Sequence, residues 1–255
     1  MTLRALRRAV ALAFALAVCV ADYWLTRIRI GLSGRSFGLT DRAQWLHRAC
    51  RRVLRAFGIR LTVCGPAPLH GLVVSNHLSH LDIMIMGSAM TCFFVAKTEI
   101  AGWPYFGRAA RSGGTVFIDR KSRASVADAS HHIAERLDLP VPVLLFPEGT
   151  STDGSSVLRF HSSLFEPAVA TSAPVTAAAI RYVVHDGFLE SDLCWFDDAS
   201  FLPHIWRTLR TRGFSAEITF SEPRTYPDRR TAAAATHDEV ASMRANESKL
   251  LAVSS

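Results

Sequence analysis

Acidic residues are nearly missing from the first quarter of this chain. Between residues 1 and 60, Asp22 and Asp41 stand against twelve arginines, a formal charge of +10; the remaining 17 basic and 20 acidic residues give −3. A basic end on a mildly acidic body suits an anionic surface, either membrane phosphates or nucleic acid. No DNA- or RNA-binding motif occurs, and the arginines are not interleaved with aromatics as a base-stacking platform requires. Nucleic acid is thereby disfavoured and a membrane favoured. There is no C-x-x-C pair, and the five cysteines (Cys19, Cys50, Cys64, Cys92, Cys194) are scattered and odd in number. A disulfide framework is excluded; reduced, buried thiols of a cytoplasmic protein are the expectation. Internal repeats are absent, low complexity is confined to Ala232–Ala235, and no G-x-S-x-G segment occurs. That excludes a solenoid and a nucleophile-elbow hydrolase.

The chain does have apolar material, 49% of 255 residues, enough for one generous domain with an attached segment. Arg4, Arg7 and Arg8 precede an uncharged run from Ala9 to Ala21, short of the ~20 residues a spanning helix needs unless Asp22 is tolerated. A cleaved signal peptide has the same outline. Val18-Cys19-Val20-Ala21 is a poor cleavage site, so an uncleaved anchor, spanning or interfacial, is expected. Asp41 to Phe57 places Trp45, Leu46, Ala49, Cys50, Val53, Leu54 and Phe57 on one helical face and five arginines on the other. Its sequence fits an ordinary surface helix and an in-plane membrane helix alike. Residues 1–58 thus read as membrane-docking helices and 59–255 as a catalytic domain.

From Ile59 onward, strand and helix patterns alternate. Strands are expected at Ile59–Val63, Leu72–Ser75, Phe93–Ala96, Thr115–Ile118, Pro142–Phe146, Val175–Ile180 and Ala216–Phe220. Helices are expected at Asp82–Ala89, Pro104–Arg111, Arg123–Leu137, Ser163–Ala170 and Arg229–Leu250, with Phe188–Trp206 aromatic and irregular. This alternation predicts an α/β fold: a single mixed, largely parallel sheet flanked by helices.

Chemistry concentrates where buried strands open into polar turns. Asn76-His77-Leu78-Ser79-His80-Leu81-Asp82 follows the second strand. On one continuous helix His77 and Asp82 would point ~140° apart. They meet only if His77 sits in the turn and Asp82 in the first helical turn, where the carboxylate fixes the imidazole tautomer and frees the other nitrogen as a base. Gly114–Arg120 ends on Asp119 and Arg120, and Phe146-Pro147-Glu148-Gly149-Thr150 repeats the buried-strand-to-polar-turn design. Ala173-Pro174-Val175-Thr176 enters the next strand. Bland roles exist for each: Arg120 as a surface ion pair, Glu148 as a helix cap, Pro174 as strand-edge geometry, Ser79 as a cap. His77-x-x-His80-x-Asp82 is also a conceivable metal set, although no further His/Glu cluster at ligand spacing follows.

Taken in order, N-H-x-S-x-x-D, F-I-D-R, F-P-E-G-T and the Pro-led strand resemble the glycerolipid acyltransferase family, over roughly Leu72 to Arg181. The resemblance implies acyl transfer from a thioester of acyl carrier protein or coenzyme A to a lysolipid hydroxyl, with no metal or other cofactor. It implies His77 as general base oriented by Asp82, and Arg120 on an acceptor phosphate or carboxylate. Glu148, Gly149 and Thr150 would hold the glycerol backbone and head group, with Asn76 and Lys97 completing the substrate set. A place on the cytoplasmic face of the cell membrane follows from the same resemblance. Ser151 stands where many phosphatidate-forming members carry Arg, and Arg159-Phe160-His161-Ser162-Ser163 replaces a Lys-rich segment; the pattern leans toward lyso-ornithine lipid or related acceptors. Competing expectations are a metal-dependent hydrolase on His77, His80 and Asp82, and a non-catalytic lipid binder.

Overall fold

A computed structural model describes residues 3–253 except 120, 185–186 and 197–199, with side chains to residue 245. Its first element, α1, runs unbroken from Leu3 to Leu32, 30 residues. At ~1.5 Å per residue that exceeds the ~30 Å hydrocarbon core of a bilayer. Of its most apolar 18-residue stretch 11% is buried inside the protein, which sets α1 apart from a core helix. The short run expected from Ala9 to Ala21 is therefore corrected. Asp22 does not end the helix, because Arg48 and Arg52 pair with it from α2 (Leu39–Phe57). The apolar face of α2 is buried against the body, so of the two readings its sequence allowed the structure holds the packed amphipathic helix. Gly58, at φ 73°, ends it in the left-handed cap that glycine adopts most readily.

The strands are β1 (Arg60–Cys64), β2 (Leu72–Ser75), β3 (Phe93–Lys97), β4 (Val116–Ile118), β5 (Val143–Leu145), β6 (Val175–Val184) and β7 (Phe214–Phe220). They form one seven-stranded sheet in the order β1-β7-β6-β2-β5-β3-β4. Every neighbouring pair is parallel except β6 and β7. The expected mixed, largely parallel sheet is what the chain forms. Its helices are α3 (Leu81–Ala89), α4 (Phe106–Ser112), α5 (Arg123–Leu137), α6 (Glu166–Ala170), α7 (Phe201–Arg210) and α8 (Arg229–Val253).

Strand alternation divides the core in two. Val73 and Leu144 point to the face covered by α2, α3 and α7, while Leu72, Val74, Val143 and Leu145 point to the face covered by α5, α6 and α8. On the first face α2 crosses α3 at Gly87, where a Cβ would come within 2.6 Å of Cys50 Sγ, so glycine is required for the close approach. Two expectations change here. Phe201–Arg210 is a helix within the stretch read as irregular, since burial of His204, Thr208 and Leu209 supplies the packing that its sequence pattern did not advertise. Four cysteines are buried as expected, but Cys64 is exposed.

Candidate active site

Because β2, β5, β3 and β4 run parallel, their carboxyl ends share one edge of the sheet, the usual place for a site in an α/β domain. Asn76 prolongs the β2–β6 ladder with its side chain: Nδ2 donates to Ile180 O (3.1 Å) and Oδ1 accepts from Ile180 N (2.8 Å). Its amide therefore fixes the exit of the chain from β2, and His77 follows in the turn.

Asp82 lies in the first turn of α3 and is wholly buried. Its Oδ2 sits 2.8 Å from His77 Nδ1 and accepts from Leu78 N (2.7 Å) and Ser79 N (3.0 Å). Its Oδ1 accepts from the Tyr182 hydroxyl on β6. A carboxylate on Nδ1 calls for a proton there, so the neutral imidazole keeps its lone pair on Nε2. The ring is stacked on Phe146, with centroids 4.2 Å apart and planes 16° from parallel. Burial, with Asp82 next in order, pushes the Tyr182 phenol well above its ordinary range, so it remains a donor.

Glu148, 4% exposed, accepts from His77 N through Oε1 and from Leu158 N through Oε2, each at 2.7 Å. Burial raises its pKa, and the two backbone N–H donors work against that rise. Gly149 follows at φ 77°, a turn that favours glycine. Thr152 N donates to His77 O at 2.9 Å, so the third segment grips His77 at both backbone groups. The Ser151 hydroxyl donates to Trp195 O, tying that segment to the loop before α7.

A cavity of about 740 Å³ opens beside His77, within the range of small-molecule sites. Gly149 and Thr150 line it, as do Lys97 at the end of β3 and Arg108 on α4. Its other walls are apolar and come from α1, α2, α3 and a cluster of Trp103, Phe106, Trp195 and Phe201. Arg120 lies outside the described residues. A second hollow of about 530 Å³, around Arg35 and Leu139, contains none of these groups.

The site thus joins His77, Asp82, Glu148, Gly149, Thr150 and Lys97 at one edge, with Asn76 in support behind them. His80 lines the same cavity, with its ring packed against Trp195, Phe201 and His204. Burial, reinforced by His204 and His77, holds it well below the usual histidine range. His77, His80 and Asp82 therefore do not converge as a ligand set, and among the described residues no group of three His, Cys, Asp or Glu could hold a metal ion. Sequence reasoning missed Tyr182, Arg108 and the contribution of α1. Tyr182 sits on β6 between Arg181 and Val183, and nothing local marks it as a partner of a residue one hundred positions earlier.

Residues 64–181 match the family model described as Acyltransferase. Over 208 residues the chain is 33% identical to a 1-acyl-sn-glycerol-3-phosphate acyltransferase of Neisseria meningitidis, covering 80% of this chain and 81% of that protein. It is 35% identical over 198 residues to a lyso-ornithine lipid O-acyltransferase of Rhodobacter capsulatus, covering 73% and 70% respectively. The crystal structure of the 1-acyl-sn-glycerophosphate acyltransferase of Thermotoga maritima superposes with a TM-score of 0.62 at 21% identity, over 96% of this chain and 98% of that one, a likeness of fold.

Proposed function

The chain belongs to the acyltransferase family of lysolipid O-acyltransferases, and from that premise we propose that it carries a fatty acyl group from an acyl carrier protein or coenzyme A thioester to the hydroxyl of a membrane lysolipid. The observation that carries this reading is the His77–Asp82 pair set in the wall of a large apolar cavity. His77 Nε2 removes the proton as the acceptor oxygen attacks the thioester carbonyl. The tetrahedral intermediate collapses with cleavage of the C–S bond, and the imidazolium returns the proton to the departing thiolate. No acyl-enzyme forms. General-base help of this kind is worth about 10²–10⁴ in rate. Asp82 holds the tautomer and offsets the positive charge that develops on the ring.

The apolar cavity receives the acyl chain, and the cations that line it, Lys97 and Arg108, meet the anionic group of acceptor or donor, a role the family resemblance also gives to Arg120. Glu148 acts chiefly as the brace of the His77 backbone, while Gly149 and Thr150 face the substrate. Such an enzyme works at a membrane, with α1 as its anchor and the arginine-rich end against anionic lipid on the cytoplasmic side, where thioester donors occur. The acceptor is lysophosphatidate or lyso-ornithine lipid. The absence of Arg after Thr150 supports the latter, since Ser151 is engaged with Trp195 O instead.

The test is transfer of acyl groups from both donors to both lysolipids by the purified protein, beside lipid profiles of cells lacking and overproducing it. His77→Ala should abolish transfer with the fold intact. Near-normal transfer by that variant refutes the base assignment.

A further inference from the structure

Among the cavity's walls, α1 has a largely exposed outer side, on which Val10, Phe14, Leu25 and Ile28 face away from the protein. Leu16, Cys19, Val20, Tyr23 and Trp24 supply its inner lining. Within that stretch Asp22 is the only charged side chain between Arg8 and Arg27. A carboxylate in so apolar a helix is costly unless paired, and marks a function when it is. Asp22 Oδ2 accepts from Arg48 Nε at 3.1 Å and from Arg52 Nη1 at 2.9 Å. Arg48 Nη2 also donates to Thr26 Oγ1 at 3.1 Å, and that hydroxyl donates to Asp22 Oδ1 at 3.4 Å. The two guanidiniums stand one turn apart on α2, so a single carboxylate holds both. The other hydrogen bonds of this stretch to the body are neutral ones to carbonyls: Trp45 Nε1 to Cys19 O (3.0 Å), the Tyr105 hydroxyl to Leu16 O (2.6 Å) and the Cys19 thiol to Ala49 O (3.9 Å).

We propose that Asp22, clamped by Arg48 and Arg52, is a positioning residue that sets how closely α1 stands against α2, and thereby the acyl chain length the cavity accepts. The inference rests on the acyl-cavity reading above. Removing the carboxylate does more than cancel an attraction: it leaves two like charges on one face of α2, beneath a wall held only by neutral bonds. The wall then relaxes outward. Long chains are admitted more freely and short ones are held less well.

The experiment measures kcat/KM of the full-length enzyme for a graded series of saturated acyl thioesters, in wild type, Asp22→Asn and Asp22→Glu. Asn keeps the size but not the charge, and should flatten the ratio between preferred and disfavoured chain lengths about tenfold, of the order pocket fit can supply. Glu should restore much of the preference. Arg48→Gln and Arg52→Gln each leave one guanidinium on the carboxylate and should flatten the ratio partway; they give the reading should Asp22→Asn not fold. The proposal is overturned if wild type is indifferent to chain length, or if the variants lower all chain lengths by one common factor. It is equally overturned if their preference is unchanged. Any of these leaves the acyltransferase reading standing so long as His77→Ala loses transfer; retained transfer by His77→Ala strikes the reading itself.

Discussion

Around the fully buried Asp82 four donors converge on two oxygens, three of them from residues 77–79 just before it and one from β6. Around α1, the stretch along the cavity is fastened by one ionic cluster and by hydrogen bonds to Leu16 O, Cys19 O and Ala49 O, Arg8 ties the N-terminal end to Leu209 O and Thr211 O, and most of the helix's side chains face outward. Both regions border the same cavity. The first has its geometry over-determined, so that the imidazole cannot choose another tautomer or direction. The second is apolar and fastened at few points, so that one ionic clamp weighs heavily on where it stands. On the proposed acyl-cavity reading, a rigid polar corner serves the invariant chemistry and a clamped apolar wall meets the variable tail.

The sharpest way to break the corner is to remove its parts in order. His77→Ala should cost about 10²–10⁴ in kcat, the whole of general-base assistance, with an unchanged circular dichroism spectrum. Asp82→Ala should lose comparable activity and also destabilise the fold by at least about 2 kcal/mol, because buried N–H groups of Leu78 and Ser79 lose their acceptor; chemical denaturation reads that second loss. Tyr182→Phe removes one donor and keeps the ring, so a fall of about tenfold in kcat with stability reduced by about 1 kcal/mol is expected. If Tyr182→Phe proved as damaging as Asp82→Ala, the corner would be less redundant than its four donors suggest.

Glu148 offers a milder probe through pH. Its pKa is raised in the folded protein, chiefly by burial, so the folded state holds the proton more tightly than the unfolded chain. The stability it contributes is fully present below the ordinary carboxylate pKa and is lost as pH rises through the raised value. Glu148→Gln cannot ionise. Denaturation midpoints across mildly acid pH should therefore show wild type losing stability relative to this variant as pH rises, then running parallel to it. At the wall, Trp45→Phe removes the bond to Cys19 O and trims a buried ring that packs on Tyr23 and lines the cavity; a loss of about 1–3 kcal/mol in stability, read by chemical denaturation, is expected.

Much of this was legible where the deciding interactions are local. The limits of Leu72–Ser75 and Arg123–Leu137 agree with the expectation residue for residue, since a short buried apolar run in one and 3.6-residue periodicity in the other are set by neighbours. The His77–Asp82 contact spans five positions, and helix geometry named in advance the placement it requires, His77 in the turn and Asp82 in the first helical turn, which the structure has. What stayed hidden depends on partners far along the chain. The length of α1 turns on Asp22 meeting Arg48 and Arg52, 26 and 30 residues later. α7 owes its form to packing of His204, Thr208 and Leu209. Glu148 reads as a substrate ligand until its two oxygens are seen to receive the N–H groups of His77 and Leu158.

The pairing of β1 with β7, Arg60 alongside Ser215, has a consequence for biogenesis. As the chain leaves the ribosome, α1, α2 and β1 emerge first, yet β1 has no neighbour until more than 150 further residues have been made. During that interval α1, proposed above as the anchor, is available to a bilayer ahead of the sheet, while the naked backbone of β1 waits beside it. A nascent chain interrupted before β7 would leave β1 and the outer side of β6 as open strand edges, the kind on which other chains nucleate.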